Sequence, residues 1–413
     1  MSATELNTTL DHLFRHEYAK IVSLLASKFS TELIDQIEDA VQESLLKAAK
    51  LWSMQPMPDN PSAWLYRVAS NHLIDQLRRN QKSTTLDHWK GDANFEEIST
   101  EDEQLIDGQL RMIFACCHPS MKLQEQLMLS LKLLCGLSVK EIARALLKNE
   151  EATKKAITRA KQKFKTEVGE LVVPSGDALK ERLESVLQVI YLLFNEGYKA
   201  TEGDQLMRQD LCEEAIRLAF ILTNEKACET SELYSLIAMM LFKAARFPAR
   251  IDVEGRLVTL ELQDRKLYRE DYMQWGWKFL HESSKSESSS IYQLEAAIAS
   301  YYTVAPSYEK TNWKQILRLY DTLARLKPSP VVKMSRLFVL SKVEGAAKAL
   351  QQMDLLEADL PNQQSFLALK AYLYAQLEDF ENAISHIEKA IDQADNKTER
   401  RFLEERLLSW KKR

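Results

Sequence analysis

Glycine, proline and long apolar runs are all scarce in this chain of 413 residues. With 10 glycines and 10 prolines, few positions force the backbone out of helical geometry. Runs of β-branched residues are also few, and apolar residues recur at helical spacing over almost the whole length. The sequence therefore predicts an all-α fold. Its length exceeds that of an ordinary single domain and predicts two or three of them.

Signals for export and features of disulfide frameworks are also missing. No apolar run approaches the roughly 20 residues that cross a bilayer, and MSATELNTTL at the amino terminus lacks the basic and apolar parts of a secretory signal. The five cysteines are odd in number and spaced unlike a disulfide framework, which suits a reducing compartment. We therefore expect a cytoplasmic protein without a membrane partner. The net charge of −5 argues against tight binding to DNA without a partner.

The stretch from Ser138 to Lys165 has the pattern of two short helices joined by a tight turn. Ser138 and Glu141 have the spacing of a capping box, and Asn149 can cap the second helix. An apolar side of that helix is predicted from Thr153, Ala156, Ile157, Ala160 and Phe164. The basic side carries Lys154, Lys155, Thr158, Arg159, Lys161 and Lys165. This pattern predicts a helix-turn-helix that enters a major groove, the alternative being a hairpin with a solvated basic face.

A second candidate surface lies on the helix that begins after Asn60. Asn60 and Pro61 supply an N-cap and a first helical residue. Apolar residues every fourth position form the face toward the core: Leu65, Ala69, Leu73 and Leu77. Another face collects Trp64, Arg67, Asn71, Asp75, Arg78 and Arg79. Such a face can stack on bases and bind phosphate, although an ordinary surface with a half-buried tryptophan gives the same pattern.

An acidic and polar strip precedes this helix. It consists of Glu38, Asp39, Gln42 and Glu43. By itself it is typical of a solvated helix face. Taken in order, the segments AVQESLLKAAK, PSAWLYRVASNHLIDQLRR and GLSVKEIARALL…AITRAKQKFK resemble regions 2 and 4 of a bacterial extracytoplasmic-function (ECF) sigma factor.

The resemblance implies a role for each segment. Asp39, Gln42 and Glu43 match the motif that docks on the clamp helices of the RNA polymerase β′ subunit. The Trp64–Arg79 helix matches the one that lies against the −10 promoter element, and the basic helix matches the one that binds the −35 element. The implied partners are core RNA polymerase, through its β′ clamp helices and β flap, and promoter DNA. Ala156 stands where such helices often carry arginine or glutamine, so the register of base-reading residues stays open.

The resemblance and the composition together divide the chain. We expect region 2 in residues 1–80, a polar linker in 81–103, region 4 in 104–170, a helical extension in 177–280 and repeats in 291–413. Within 104–170, Cys116 and Cys117 lack zinc-ribbon spacing, so we expect buried hydrophobic residues and no metal site.

The extension resembles that of ECF sigma factors with a large C-terminal helical domain, on the motifs CCHP, NEGY and R-x-D-x-x-G-R…Q-D-R. Polar turns are predicted at Asn195–Tyr198, Arg208–Leu211 and Ala249–Arg265. The last contains a charged constellation: Arg250, Asp252, Gly255, Arg256, Gln263, Asp264 and Arg265. We expect a regulatory contact or a buried polar network there. No nucleophile–base pair, phosphate loop or metal triad is evident, so we predict no enzyme, no catalytic residues and no cofactor.

The carboxyl-terminal part resembles tetratricopeptide (TPR) repeats. AYLYAQLEDFENAISHIEKAI, Ala371–Ile391, has Tyr374, Phe380, Ala383, Ile384 and Ala390 at the packing positions. Trp313–Pro328 and Gly345–Leu356 resemble degenerate second helices, and His281–Ser290 reads as a serine-rich loop. TPR-like stacking predicts a concave surface for a protein or peptide ligand, whereas a plain helical bundle is the alternative.

These features together predict a sigma factor that binds core polymerase, directs it to promoters, helps to open the −10 region and is regulated in cis by its C-terminal helical domain. One alternative is a stand-alone helix-turn-helix regulator with a TPR sensor. The other is an enzyme with its site in Asn195–Arg265.

Overall fold

The computed structural model describes residues 17–80, 102–146, 148–198, 208–286, 290–355, 364–394 and 397–412. Over these ranges the regular structure is helical, apart from an isolated antiparallel bridge between Ile251 and Leu257. The predicted all-α fold is confirmed. Leu13, Phe14 and almost all of the predicted linker lie outside the described residues. No described helix is both long and apolar enough to cross a membrane.

The amino-terminal helices vary in length from 7 to 23 residues. They are α1 (residues 17–28), α2 (Ile34–Trp52), α3 (Pro61–Asn80), α4 (Asp102–Cys116), α5 (Leu123–Leu129), α6 (Val139–Ala145), α7 (Glu150–Glu167) and α8 (Gly176–Tyr198). A 3₁₀ turn, Thr31–Leu33, leads into α2, and a π-helical turn, Ser130–Leu134, continues α5.

The remaining helices are α9 (Gln209–Leu222), α10 (Ser231–Ala245), α11 (Phe247–Arg250), α12 (Glu270–Ser283), α13 (Ile291–Val304), α14 (Trp313–Leu326), α15 (Pro330–Glu344), α16 (Ala346–Asp354), α17 (Gln364–Gln376), α18 (Phe380–Asp392) and α19 (Lys397–Trp410). Two predicted interruptions are wrong, because Asn195–Tyr198 forms the last turn of α8 and Gln209–Leu211 forms the first turn of α9. The predicted loop His281–Ser290 begins later than expected, because α12 continues through Ser283. Since each segment forms the end of an amphipathic helix, packing outweighs the turn propensity of its polar residues.

The helices form two compact units. The first contains the described residues up to Leu193 together with Phe220–Cys228, and the second contains Phe194–Ala219 and the described residues from Glu229 onward. The division falls inside α8, a helix that begins at Gly176, where the composition changes.

The core of the first unit is built on α2 and α3, which pack against each other. Ile34, Ile37 and Val41 on α2 are fully buried, as are Leu65 and Leu73 on α3. These residues recur every three or four positions, so each helix buries one continuous stripe. The side chains outside that stripe are left to face solvent, which is where the candidate functional residues of α3 lie.

The second unit is organised around α10, which is apolar on all sides. Buried residues run through its whole length, from Leu233 to Ala245, and both α12 and α13 pack against it. Gly276 on α12 permits this approach, because a Cβ atom there would lie 3.1 Å from the ring of Phe242. The centre of the unit is therefore a helix without a solvent face.

Successive helices from α14 to α19 pack against their neighbours in the chain, which both TPR-like stacking and a plain helical bundle predict. Within the predicted repeat, Ala383 and Ala390 are fully buried, and Tyr374, Phe380 and Ile384 pack around the same cluster. The small alanines let α18 approach α17 closely.

Candidate polymerase and nucleic-acid interfaces

Local hydrogen bonds fix where α6 and α7 begin. The Ser138 amide donates to Glu141 Oε2 at 2.8 Å, and the Glu141 amide donates to Ser138 Oγ at 3.2 Å. The Asn149 Oδ1 atom accepts from the amides of Glu151 and Ala152 at 2.9 and 3.2 Å. Both predicted caps are confirmed. They satisfy amide donors that a helix terminus leaves without partners, and so they define the tight turn between the two helices.

The two sides of α7 differ as its periodicity predicts. Thr153, Ile157, Ala160 and Phe164 are buried, and Ala156 is half-buried at the edge of that side. Four of the predicted DNA-facing side chains are exposed, namely Lys154, Lys155, Thr158 and Arg159. A capped helix with an apolar underside and an exposed basic amino-terminal half has the shape and charge that a major groove accepts.

Lys161 and Lys165, further along α7, lie in a different environment. Lys161 donates to Asp35 Oδ1 at 3.1 Å and pairs with Glu38, while Lys165 pairs with Asp35 Oδ2. Both lysines are half-buried by these contacts with α2. Burial is the largest influence on the pKa of Asp35 and acts to raise it, but the hydrogen bonds from the two lysines outweigh burial and lower the pKa.

Glu38 is a functional contact that sequence reasoning missed. It was predicted in the exposed strip with Asp39, yet it is 3 % exposed. Its carboxylate accepts a hydrogen bond from the Tyr18 hydroxyl, pairs with Lys161 and lies 3.4 Å from Lys132 Nζ. Burial and the adjacent Glu38 charge raise the pKa of Tyr18 well above its usual value. Spacing supplied a signal, because Glu38 falls between Ile34 and Val41 on the buried stripe of α2.

A further contact joins the ends of the same helices. The Thr31 hydroxyl donates to the carbonyl oxygens of Val168 and Gly169, at 2.6 and 3.0 Å. Thr31 is 1 % exposed and stands just before α2, whereas Val168 follows α7. The start of α2 and the end of α7 are therefore connected by a buried hydrogen bond as well as by ion pairs.

The rest of the α2 strip is accessible. Asp39 and Gln42 are exposed and Glu43 is half-buried. All three belong to the middle of α2, away from its first turn, where Asp35 meets the lysines of α7. The surface that these residues form is acidic and polar and is available to another protein.

The α3 face is arranged as predicted. The Ala63 amide donates to Asn60 Oδ1 at 3.0 Å, which confirms the N-cap. Trp64 is half-buried, and its ring centroid lies 5.5 Å from that of Trp52. The other members of the face are exposed, namely Arg67, Asn71, Asp75, Arg78 and Arg79. An aromatic ring on such a face can stack on a base, and the three arginines of the helix can bind phosphates.

Three family models match the chain in the same order as these surfaces. Sigma-70 region 2 matches residues 13–83, and sigma-70 region 4 matches residues 111–164. A family of unknown function (DUF6596) matches residues 182–284. An uncharacterised protein of Rhizobium meliloti (strain 1021) is 34% identical over 376 residues, which cover 90% of this chain and 89% of that protein.

The chain belongs to the sigma-70 family. It is an ECF-like sigma factor with a C-terminal extension. Its role is the initiation of transcription at specific promoters, and the partners implied by its two sigma regions are core RNA polymerase and promoter DNA. Sigma factor families are DNA-binding transcription initiation factors. No solved structure matches the chain.

In this sigma factor Cys116 and Cys117 are fully buried, which confirms their prediction as hydrophobic residues. Burial is the main reason that the pKa of the Cys117 thiol rises to about 12. A thiol that stays protonated and shielded from solvent is inert toward metals and oxidants at neutral pH.

The charged and polar residues predicted between Arg250 and Arg265 lie in the extension of this sigma factor, where they make separate contacts. Asp252 and Arg256 pair at 2.7 Å within one tight turn that also uses Gly255, at φ 75. Arg265 donates to the Ala305 carbonyl at 2.8 Å, and Asp264 caps the 3₁₀ turn that follows it. Gln263 and Arg250 line a cavity.

Proposed function

We propose that this sigma factor divides its work among three exposed helical faces. Asp39, Gln42 and Glu43 on α2 bind the β′ clamp helices of core RNA polymerase. The α3 face, from Trp64 to Arg79, holds the opened −10 strand. The amino-terminal half of α7 reads the −35 element. The observation that carries the proposal is that all three faces are accessible on capped or packed helices and follow the order of the matched regions.

Charge explains why the first contact must come before the others. A chain with net charge −5 has little overall attraction for DNA. Docking on the polymerase through α2 raises the local concentration of α3 and α7 near promoter DNA, so that weak contacts act together. The exposed arginines of α3 and lysines of α7 then add their phosphate contacts to an assembly that is already held by protein–protein contacts.

The carboxyl-terminal unit is proposed to regulate this assembly in cis. Its TPR-like helices and the polar turn from Arg250 to Arg265 provide recognition surfaces that region 2 and region 4 do not need for their own folding. In this proposal Arg250, Asp252, Gly255, Arg256, Gln263, Asp264 and Arg265 belong to the regulatory contact, either directly or by shaping the turn.

In vitro transcription with purified core polymerase tests the proposal. Full-length protein should direct initiation from a promoter that core polymerase alone does not use. The double variant Asp39→Ala/Gln42→Ala should lose polymerase affinity by at least about tenfold, whereas Lys348→Ala on exposed α16 should not. Tight binding of the free protein to promoter duplex, with no initiation when core polymerase is added, would instead favour the stand-alone regulator.

Regulation in cis is tested separately with saturating polymerase. Arg256→Glu breaks the pair with Asp252 and reverses a charge in the polar turn, and Lys348→Glu makes the same charge change on α16. If the turn regulates the sigma regions, single-round transcription changes with Arg256→Glu and stays level with Lys348→Glu. Equal activity for both variants and the wild type would rule out a role for this turn.

A further inference from the structure

The second unit contains a cavity of about 410 Å³. It is enclosed on one side by the end of α8, by α11 and by the polar turn, and on the other by helices α15, α17, α18 and α19. The side chains that define its chemistry are Tyr198, Arg246, Arg250, Phe338, Tyr372 and Arg406. Its volume is within the range of sites for small organic ligands, and its position is one that the sigma regions do not use.

Three arginines, Arg246, Arg250 and Arg406, line this cavity, so its lining carries more positive than negative charge. Arg250 lies over the ring of Tyr198, with its guanidinium carbon 4.1 Å from the ring centroid. Its Nη1 atom is buried and has no hydrogen-bond partner among the described residues. The guanidinium carbon of Arg406 lies 4.9 Å from the ring centroid of Phe402. Glu261 supplies the carboxylate among the lining residues, and its side chain is exposed.

A buried guanidinium N–H without a partner is costly, because it has given up water and gained no acceptor. Arg246 avoids this cost by donating to Gln263 Oε1 from Nε and Nη2, at 3.2 and 3.1 Å. Arg250 has a ring contact, but no described residue offers an acceptor to its Nη1 atom. The donor therefore points to an acceptor that the ligand supplies, and a carboxylate or phosphate is the acceptor that a guanidinium binds best.

Most of the remaining wall is apolar. Aromatic rings of Phe338, Tyr372 and Trp410 line the cavity, together with aliphatic side chains of Leu257 and Leu369. Trp410 is 9 % exposed, and Phe338 is partly buried and packs against the core cluster of the repeats. Walls of this kind favour the burial of a hydrocarbon or flat ring and disfavour a bare inorganic ion.

We propose that this cavity binds a small organic anion, a carboxylate or phosphate attached to an apolar or aromatic body. The acid group pairs with Arg250, and Arg406 adds positive charge from the α19 side. The apolar body packs against the rings of the repeat helices. The polar turn and the repeats then form one ligand site, and the site exists whether or not the chain regulates transcription through it.

Calorimetry on the full-length chain tests the proposal with defined probes. The anionic probes are 3-phenylpropionate and phenyl phosphate, the matched neutral probe is 3-phenylpropan-1-ol, and inorganic phosphate represents the acid group alone. At least one aromatic anion should bind at least about tenfold more tightly than the neutral alcohol and than inorganic phosphate. Failure of both aromatic anions to bind at millimolar concentration, or equal binding of the alcohol, overturns the proposal.

Variants locate the site. Arg250→Met keeps an unbranched apolar stem and removes the guanidinium donors. It should therefore weaken binding of the anion by at least about tenfold while leaving binding of the alcohol unchanged. Leu369→Trp places a larger side chain in the cavity and should abolish binding of both the anion and the alcohol. Lys348→Met, which removes a cation outside the cavity, is the control. Thermal melts show whether each variant is folded, and a folded Arg250→Met protein that binds the anion like wild type refutes the assignment.

Discussion

Lys161 of α7 donates a hydrogen bond of 3.1 Å to Asp35 of α2. The two helices carry different predicted functions, since α7 contains the −35 surface and α2 the polymerase surface. Carboxylates of α2 thus occupy two lysines that the sequence assigns to DNA. A carboxylate and a DNA phosphate compete for the same ammonium group, so the ion pairs with α2 oppose DNA binding by these lysines.

Removing one carboxylate should release one lysine. In Asp35→Asn, Lys165 loses its partner, while Lys161 keeps Glu38. The free protein should then bind a DNA duplex of arbitrary sequence more tightly at low salt, and the slope of log K against log salt should steepen by about one. Fluorescence anisotropy at several salt concentrations measures both quantities.

Asp39→Asn is the matched control for that experiment, because it removes the same charge from an exposed position on the same helix. An equal gain in DNA affinity in both variants would mean that the change in net charge, and not the release of Lys165, is responsible. The pKa of Asp35 is lowered, so its pairing persists at all pH values near neutrality and is lost only as pH falls through that low pKa. The difference between the variants should therefore be the same at pH 6 and pH 8.

Glu38 should matter for stability more than its exposed neighbour. Glu38→Gln removes the charge that pairs with Lys161 and Lys132 in a buried site. Breaking a buried pair in this way costs roughly 3–5 kcal/mol of unfolding free energy. Asp39→Asn should cost less than about 0.5 kcal/mol. Urea unfolding of the two variants compares them directly, and similar midpoints would show that the buried network contributes little.

Substitutions on the two DNA surfaces should impair different steps of transcription initiation. Arg78→Ala on α3 should impair melting, so that a template with a pre-opened −10 bubble partly restores transcription. Lys154→Ala on α7 should weaken the closed complex. The pre-opened bubble should then raise transcription by this variant no more than it raises transcription by the wild type. Each loss on duplex should be about tenfold. If the bubble template restored single-round transcription equally in both variants, the two substitutions would affect the same step of initiation.

Gly197 allows α8 to contact the start of α9. A Cβ atom there would lie 2.8 Å from the Arg208 carbonyl oxygen and from Cys212 Sγ. Because one of these contacts is backbone, Gly197→Ala should lower the free energy of unfolding by about 1–3 kcal/mol. Gly169→Ala is the control, since no atom lies within 4 Å of a Cβ at that position. Urea midpoints that shift equally in the two variants would contradict the steric explanation.

Anion binding in the cavity should depend on the ionisation of Tyr198. Burial is the largest influence on its pKa and acts to raise it, but the charges of Arg250, Arg246 and Lys243 outweigh burial and lower the pKa, while Cys212 opposes them. Below that pKa the phenol is neutral and the cations are available to the anion. As pH rises through it, the phenolate neutralises them and affinity should fall. Tyr198→Phe should remove this alkaline decrease, measured by calorimetry between pH 7 and pH 10.

Much of this protein follows from local sequence. The helical period, the Ser138–Glu141 box and the Asn60 and Asn149 caps predicted which segments become helices, where these begin and which of their faces are apolar. The order of the three matched motifs predicted a sigma factor. Each of these signals depends on residues within a few turns of one another, because caps and amphipathic stripes are set by backbone hydrogen bonds and by burial of one face.

Tertiary structure decided which charged residues remain available. The sequence analysis assigned Lys161, Lys165 and Glu38 to polar faces because their side chains are charged, yet all three form ion pairs between α2 and α7 or its neighbours. In the same way, Arg250 and Arg406 lie far apart in the chain and meet at one cavity. Polarity along a helix shows that a side chain can face water, but its partner is chosen by packing of helices distant in sequence. The energy of a charge depends on that partner and on burial, and neither is a local property.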